Sequence, residues 1–171
     1  MVREPLAPIV APGLKVLFVG INPGLRSAEV GHHFARPGNR FWSTLHAAGF
    51  TPRVLRPEED WTLPEYSLGI TNIAARPTRA AAELTVEELR AGAAVLEQLV
   101  AKLRPRLVAV VGVTAYRAAF ARPTAALGLQ PDTIGGRPAW ILPNTSGLNA
   151  HHKPADFARL FAEARAYADE A

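Results

Sequence analysis

Three segments of the chain carry amide side chains in turn-forming surroundings, and each lies at the end of an apolar run. They are residues 20–24 (Gly-Ile-Asn-Pro-Gly), 71–73 (Thr-Asn-Ile) and 143–148 (Pro-Asn-Thr-Ser-Gly-Leu). An amide can orient a water molecule or a planar polar ring through hydrogen bonds, but it does not take up a proton as a carboxylate does. Because Asn, Pro and Gly are also good turn formers, a purely structural role for each segment stays open.

Motifs of several other catalytic chemistries are missing from the sequence. It contains no Gly-x-Ser-x-Gly nucleophile elbow, no Gly-x-x-x-x-Gly-Lys-Ser/Thr phosphate loop, and no Cys for thiolate chemistry. His32 and His33 are adjacent, as are His151 and His152, so the two rings of each pair do not share a helix or strand face. We therefore predict no metal and no cofactor, and assign these histidines to the surface or to ligand contacts.

Alternating strands and helices are expected to position the amide segments. Buried strands are predicted at residues 15–21, 67–73, 107–112 and 138–143. Helices are predicted after an N-cap at Asn39, after the capping box at 85–88, around Tyr116 and Phe120, and from Pro154 onward. This alternation is typical of one α/β domain, here residues 1–171, with a mostly parallel sheet and helices on both faces. The carboxyl ends of parallel strands meet at one edge, where ligands bind.

Two segments are predicted to lie outside this regular pattern. Residues 50–64 are Pro-rich and charged, and we expect a surface excursion whose acidic run at 58–60 is solvated. Residues 1–12 are expected to be loosely ordered, and they lack the pattern of a signal peptide. No apolar run approaches the roughly 18 residues that cross a membrane, so we expect a cytoplasmic protein with no membrane contact.

Basic residues are concentrated towards the two ends of the chain. Seven basic residues face two acidic ones in 1–57, three face eight in 58–101, and nine face five in 102–171. The net charge of +4 suits a polyanionic partner. Any anion-binding surface is therefore expected to be built from the two ends of the chain.

Six short motifs follow one another in a specific order. They are residues 19–25 (Val-Gly-Ile-Asn-Pro-Gly-Leu), 31–34 (Gly-His-His-Phe), 37–42 (Pro-Gly-Asn-Arg-Phe-Trp), 69–72 (Gly-Ile-Thr-Asn), 76–78 (Arg-Pro-Thr) and 143–148. In this order they resemble the mismatch-specific uracil/thymine DNA glycosylase family, and the resemblance covers nearly the whole chain. It implies a three-layer α/β/α sandwich on a short, mostly parallel sheet.

The resemblance implies hydrolysis of the N-glycosidic bond of uracil mispaired with guanine in duplex DNA, leaving an abasic site. Thymine and etheno-cytosine are implied as further substrates, because Asn72 matches the thymine-excising branch. The target base lies inside the stack, so a monomeric enzyme would extrude it into a pocket. By resemblance, Asn22 holds the attacking water. The matched motifs contain no Lys, so a Schiff base is not expected and the enzyme would be monofunctional.

The resemblance also implies a pocket for the extruded base. Its residues are Ile21, Gly24, Ser27, Phe34 and Asn72. Backbone N–H groups near Ile21 and the amide of Asn72 would bind the base carbonyls, while the base would stack on Phe34. The alternative for Phe34 is an ordinary place in the core.

Residues 143–148 occupy the position of the family's DNA-insertion loop. Leu148, preceded by Gly147, resembles the wedge that fills the hole left by the extruded base. Asn144 and Ser146 would position a phosphate or sugar, or would cap the following helix. Thr145 replaces the family's common Pro, which predicts a less rigid loop.

Phosphate contacts are predicted from basic residues near these motifs. The candidates are Arg26, Arg36, Arg40 and Lys153. An Arg that the family carries two residues after the wedge is absent here. Its loss would weaken the grip on the intercalated step, or else His151, His152 or Lys153 would take its place.

Two other functions remain as alternatives to a glycosylase. A non-catalytic module that binds damaged DNA would have no need of Asn22, and a hydrolase of free nucleosides or nucleotides would have no need of a Leu148 wedge. The sequence thus favours catalysis on duplex DNA.

Overall fold

The computed structural model describes residues 6–171, whose strands form a single five-stranded sheet. In chain order the strands and α-helices are β1 Val16–Gly20, α1 Leu25–Val30, α2 Phe41–Ala47, β2 Leu68–Asn72, α3 Val86–Leu103, β3 Leu107–Val111, α4 Val113–Ala119, β4 Gly128–Leu129, β5 Ala139–Leu142 and α5 Pro154–Glu170. Two 3₁₀ helices, Pro57–Tyr66 and Ala81–Glu83, lie before β2 and before α3.

The sheet has the order β2-β1-β3-β5-β4 and is parallel except for β4, which pairs antiparallel with β5. From β1 the chain first adds β2 on one side and later β3 on the other. This reversal opens a crevice at the carboxyl ends of β1 and β3, which is where ligands bind in open α/β sheets. The predicted amide segments after β1, at the end of β2 and after β5 all reach this edge.

Helices cover both faces of the sheet, because alternate strand residues point to opposite sides. Phe18 belongs to a core cluster with residues of α2 and α5, whereas its neighbours Leu17 and Val19 belong to a second cluster with residues of α3 and α4. The sequence-based prediction of a three-layer α/β/α fold is confirmed.

Helix α3 illustrates how local sequence sets the element boundaries. The Thr85 hydroxyl accepts a hydrogen bond from the Glu88 N–H, and the Glu88 carboxylate accepts one from the Thr85 N–H, as the capping box predicts. The helix ends at Leu103, where Arg104 adopts a left-handed conformation just before Pro105.

The prediction of a surface excursion at residues 50–64 is wrong. Leu55 and Leu63 are fully buried in the core cluster of α2 and α5, and the 3₁₀ helix Pro57–Tyr66 carries the second of them. Asp60 is also buried, so the interpretation of residues 58–60 as a solvated charge run is wrong for Asp60, whereas Glu58 is exposed as predicted. Apolar residues in this segment have no regular period, so their burial could not be predicted from periodicity.

The prediction of a loosely ordered segment at residues 1–12 is wrong for the part that the structure describes. The backbones of Ile9 and Ile70 exchange hydrogen bonds of 2.8 and 2.9 Å, which fasten this segment to the outer edge of β2. Residues 1–5 lie outside the described residues. Between residues 6 and 171, no helix has the length and apolar character needed to span a bilayer.

Candidate active site

A cavity of about 680 Å³ opens at the carboxyl edge of the sheet. The predicted site residues that line it are Ile21, Asn22, Gly24, Arg26, Ser27, Phe34, Arg36, Asn72, Asn144, Ser146 and Leu148. The predicted residues Arg40, Gly147 and Lys153 are not among the lining residues. Over the described part of the chain the lining includes five Asn and three Arg but no Asp or Glu, so the cavity suits a polar, uncharged ring with an anion at its rim.

Asn22 is held at the mouth of β1 by two hydrogen bonds from its side-chain amide. Its Nδ2 lies 2.8 Å from the Arg76 carbonyl oxygen and 2.8 Å from the Thr78 hydroxyl oxygen. Both acceptors come from the segment after β2, whose Thr78 N–H also donates to the Pro23 carbonyl at 3.2 Å. The two amide hydrogens are thus bound within the protein, and Oδ1 is the polar atom of Asn22 that remains for a ligand.

The segment that contacts Asn22 is fastened to the start of α3. The Arg76 guanidinium donates two hydrogen bonds to the Glu88 carboxylate, at 2.8 and 2.9 Å, and a third to the Glu83 carbonyl. Arg76, and then the N–H of Thr85, lower the pKa of Glu88 to about 2. The ion pair therefore stays charged throughout the neutral and mildly acidic range.

Phe34 and Asn72 stand together above Gly20, the last residue of β1. A Cβ at Gly20 would lie 2.6 Å from Asn72 Oδ1 and 3.3 Å from the Phe34 ring, so the absence of a side chain makes room for both groups. The Asn72 side chain makes no hydrogen bond to any residue in 6–171, which leaves its amide available to a ligand in the cavity.

Phe34 is locally strained and is held by its surroundings. Its φ of +50° is unusual for a bulky side chain, and a conformation of this kind persists only where the surrounding structure imposes it. Its ring stacks on Phe41 of α2 at 4.2 Å, and the following N–H, that of Ala35, donates to the Ser27 hydroxyl at 3.0 Å. Ser27 thus fixes the turn that carries Phe34.

The insertion loop, predicted at residues 143–148, is folded together with Asn149 by its own polar side chains. Asn144 Oδ1 accepts from the Ser146 N–H at 2.8 Å, and the Ser146 hydroxyl accepts from the Leu148 N–H at 3.2 Å. A Cβ at Gly147 would lie 2.9 Å from the Gly38 carbonyl oxygen, so this close approach of two backbones requires Gly. The loop presents Leu148 with 75% of the residue exposed.

Thr145 anchors this loop, and the expectation that replacing Pro makes the loop less rigid stays a prediction. Thr145 is fully buried, and its hydroxyl donates to Asn39 Oδ1 at 2.9 Å. Asn39 Oδ1 also accepts from the Phe41 N–H at 2.9 Å, but the N-cap of α2 is Arg40, so the predicted N-cap at Asn39 lies one residue too early. One amide oxygen therefore joins the loop to the helix.

The structure gives Arg40 a different task from the predicted phosphate contact. Its guanidinium donates to the carbonyls of Ser146 and Asn149 at 2.7 Å each, and to that of His152 at 3.2 Å. It also lies over the ring of Phe157, 4.4 Å from the centroid. Arg40 therefore stabilises the insertion loop through these hydrogen bonds.

The remaining predicted cations are placed differently with respect to the cavity. Arg26 and Arg36 line it, whereas Lys153 is exposed at the start of α5. Arg79, which the charge pattern did not single out because it lies in the acidic middle of the chain, also lines the cavity. None of these four side chains is paired with an acidic residue of 6–171.

Asp60 and the two adjacent histidines form a buried polar group beside the cavity. Asp60 accepts from the His33 N–H at 3.0 Å and lies 3.2 Å from His32 Nδ1, while His33 Nε2 lies 2.9 Å from the Ala7 carbonyl oxygen. Burial lowers the pKa of His33 below its usual value. A neutral ring then donates from Nε2 to Ala7, which holds the N-terminal segment against the cavity.

Comparison with known proteins decides the family of the chain. The model of the Uracil DNA glycosylase superfamily matches residues 7–165. The chain belongs to this superfamily. Membership supports a hydrolytic DNA glycosylase that acts on DNA, and the matched range includes every candidate site residue described above.

A solved structure supports the same fold. The chain is similar to a protein from Methanosarcina acetivorans, solved by NMR in solution, which carries a provisional assignment as a uracil DNA glycosylase. The two share 19% identity with a TM-score of 0.65, and the match covers 98% of this chain and 99% of that one. At this identity the likeness extends to the fold.

Proposed function

We propose that the protein is a monofunctional DNA glycosylase that excises uracil paired with guanine from duplex DNA, using a water molecule held by Asn22. The observation that carries the proposal is the Asn22 amide, whose two hydrogens are bound to Arg76 and Thr78 so that only the acceptor Oδ1 remains. A water that donates one hydrogen to Oδ1 keeps a lone pair for attack.

The cavity has the size and lining that an extruded pyrimidine requires. A volume of about 680 Å³ lies within the range of small-ligand pockets and accommodates the base with its sugar. The base stacks on the Phe34 ring, whose position is fixed by Phe41, and its carbonyl and N–H edge faces the Asn72 amide, which has no hydrogen-bond partner among residues 6–171.

The reaction is a hydrolytic displacement at the sugar. The water oxygen forms a bond to C1′ as the C1′–N1 bond breaks, and the electron pair of that bond leaves on the base. One water proton is released to solvent, the base anion takes up a proton, and the products are an abasic site and free uracil. Because the Asn22 amide accepts no proton, acceleration comes from positioning and from hydrogen bonds to the departing base.

The exposed side chain of Leu148 suits insertion into the duplex. A leucine that is 75% exposed on a hydrogen-bonded loop contributes little to the core, and it stands at the cavity through which the base would enter. An apolar wedge stabilises the unstacked step after the base has left it. This feature favours duplex DNA over a free nucleoside as the substrate.

The test is excision from a duplex that carries one G:U pair, detected as strand scission after alkali treatment. We expect scission by the wild type and a loss of at least about a hundredfold in Asn22→Ala, because the water loses its acceptor. Duplex affinity and melting temperature should remain near wild type in this variant. Scission that is unchanged in Asn22→Ala would overturn the assignment of the water-binding residue.

Parallel substrates test the specificity and the competing functions. Faster excision from G:U than from A:U duplexes is expected, since a mismatch lowers the energy of extrusion. Excision from G:T would extend the range to thymine, as Asn72 predicts, and its absence would restrict the range to uracil. Binding without scission would identify a DNA-binding module, and release of uracil from deoxyuridine alone would identify a nucleoside hydrolase.

A further inference from the structure

We infer that Thr78 is a positioning residue, whose hydroxyl fixes which face of the Asn22 amide points to the substrate. This inference rests on the proposed function, in which Asn22 Oδ1 holds the attacking water. An Asn amide is nearly symmetric in shape, so packing alone does not distinguish its oxygen from its nitrogen. Only hydrogen-bond partners of defined polarity make that distinction.

The first such partner is the Arg76 carbonyl oxygen, 2.8 Å from Asn22 Nδ2. A carbonyl only accepts, so an amide rotated by 180° would bring two oxygens together. The position of this carbonyl is itself fixed, because the Arg76 side chain is bound to Glu88 and to the Glu83 carbonyl at the start of α3.

The second partner is the Thr78 hydroxyl, which is able to donate or accept. Its proton is committed to the Ala80 carbonyl at 2.8 Å, so the oxygen presents a lone pair to Asn22 Nδ2. The two hydrogen bonds therefore run in one direction: Asn22 Nδ2 donates to the Thr78 hydroxyl, and the hydroxyl donates to the Ala80 carbonyl. Rotation of the Asn22 amide would break two favourable contacts, and would leave the nitrogen, which cannot accept from water, facing the substrate.

Thr78 is well suited to this task because it is rigid and buried. Only 4% of it is exposed, its N–H donates to Pro23 next to Asn22, and its backbone pairs with that of Gly24. A β-branched side chain has few alternative rotamers, so the hydroxyl stays where its two partners require it.

Two substitutions at one position separate the hydroxyl from the packing. Thr78→Val keeps the shape and removes the hydroxyl, whereas Thr78→Ser keeps the hydroxyl and removes a methyl group. We expect the single-turnover excision rate on a G:U duplex to fall by about tenfold to a hundredfold in Thr78→Val, and to stay within about threefold of wild type in Thr78→Ser. The dissociation constant for the duplex should not change in either variant.

Thr51 supplies a matched control. It is equally buried, and its hydroxyl also donates to the carbonyl two residues ahead, that of Arg53 at 2.8 Å, but it does not line the cavity. Thr51→Val should lower the melting temperature about as much as Thr78→Val, and should leave the excision rate near wild type. Equal losses of rate in the two valine variants would assign Thr78 to general stability and overturn the inference.

A spectroscopic readout tests the inference without relying on activity. The side-chain NH₂ signals of Asn22 in a ¹H–¹⁵N spectrum are identified by their absence in Asn22→Ala. In Thr78→Val we expect one of these two hydrogen signals to move upfield, with recovery in Thr78→Ser. Unchanged signals together with an unchanged rate in Thr78→Val would overturn the inference.

If the wild type excises no uracil, the proposed function fails, and the NH₂ signals still decide whether Thr78 orients the amide.

Discussion

At the scale of single residues, the cavity depends on a glycine, Gly20, because a larger residue there would fill the space. Gly20 ends β1 directly beneath Asn72 and Phe34, and a methyl group there would meet both of them. The closer contact is with Asn72 Oδ1, the end of a side chain that makes no hydrogen bond to another described residue. A substitution at Gly20 would therefore displace pocket groups more readily than it would disturb the sheet.

Gly20→Ala is expected to lower kcat/KM for uracil excision by about tenfold to a hundredfold, because it displaces the Asn72 amide and the Phe34 ring, which the proposed function assigns to base binding. The unfolding free energy should change by no more than about 1 kcal/mol, because Asn72 can move at little cost. Excision kinetics and denaturant unfolding on the same preparation measure both effects. Wild-type kinetics in Gly20→Ala would show that Asn72 and Phe34 do not bind the base.

The residue scale also shows what the sequence could predict about the site. Asn22 and Asn72 could be predicted as site residues because each lies at the end of an apolar strand, and parallel strands bring such ends together. The hydrogen-bond partners of Asn22 could not be predicted, because Thr78 lies more than fifty positions away on an irregular segment. The direction of a hydroxyl proton depends on its three-dimensional neighbours, and no spacing rule encodes it.

At the scale of elements, the start of α2 and the insertion loop form one unit. Arg40 donates to carbonyls of Ser146, Asn149 and His152, and its own N–H donates to the Thr145 carbonyl at 2.9 Å. Under the proposed function the loop inserts an apolar side chain into DNA, and it then benefits from being ordered beforehand, since ordering it on binding would reduce affinity. The guanidinium of Arg40, the residue directly before α2, thus holds the loop in place from outside it.

Arg40→Lys is expected to reduce kcat/KM on a G:U duplex by about tenfold, because an ammonium cannot span three carbonyls as a planar guanidinium does. Amide hydrogen exchange over residues 144–149 should become faster in the same variant. Arg137→Lys is the matched control, since Arg137 is also half-buried and donates to a loop carbonyl, that of Pro105, away from the cavity. Equal exchange at 144–149 in both variants would show that Arg40 does not order the loop.

Periodicity predicted the regular elements well and the irregular ones poorly. The four parallel strands lie within one residue of their predicted ends, because continuous β-branched runs bounded by turn residues leave little freedom. The 3₁₀ helix Pro57–Tyr66 was missed, since it buries Leu63 and Asp60 without an apolar period. The hydrogen bond that anchors Thr145 was not predicted for a related reason: its partner, Asn39, is 106 residues away.

At the scale of the whole molecule, two groups of basic residues differ in their surroundings: those paired with an acidic residue and those at the cavity. This division does not follow their position along the chain. On the surfaces away from the cavity, Arg122 pairs with Asp132 at 2.6 Å and Arg165 with Asp169 at 3.2 Å. The cations at the cavity, by contrast, have no acidic partner in the part of the chain that the structure describes. The acidic middle of the chain itself contributes one of them, Arg79, which makes Arg79 the candidate exception to the prediction that the two ends build the anion-binding surface.

The salt dependence of duplex binding should report which of these cations meet phosphates. Each neutralised phosphate contributes about 0.9 to the slope of log affinity against log salt concentration, because binding releases a condensed counterion. Arg79→Gln is therefore expected to reduce the magnitude of this slope by about 0.9 for a G:U duplex and for an undamaged duplex alike, since a phosphate contact does not depend on base identity. Arg122→Gln, which removes a cation already paired with Asp132, should leave the slope unchanged. Titrations by fluorescence anisotropy between 50 and 200 mM salt, roughly the range over which such contacts are resolved, measure both variants. Equal slopes for Arg79→Gln and the wild type would place Arg79 outside the DNA contact and confine the phosphate-binding surface to the two ends of the chain.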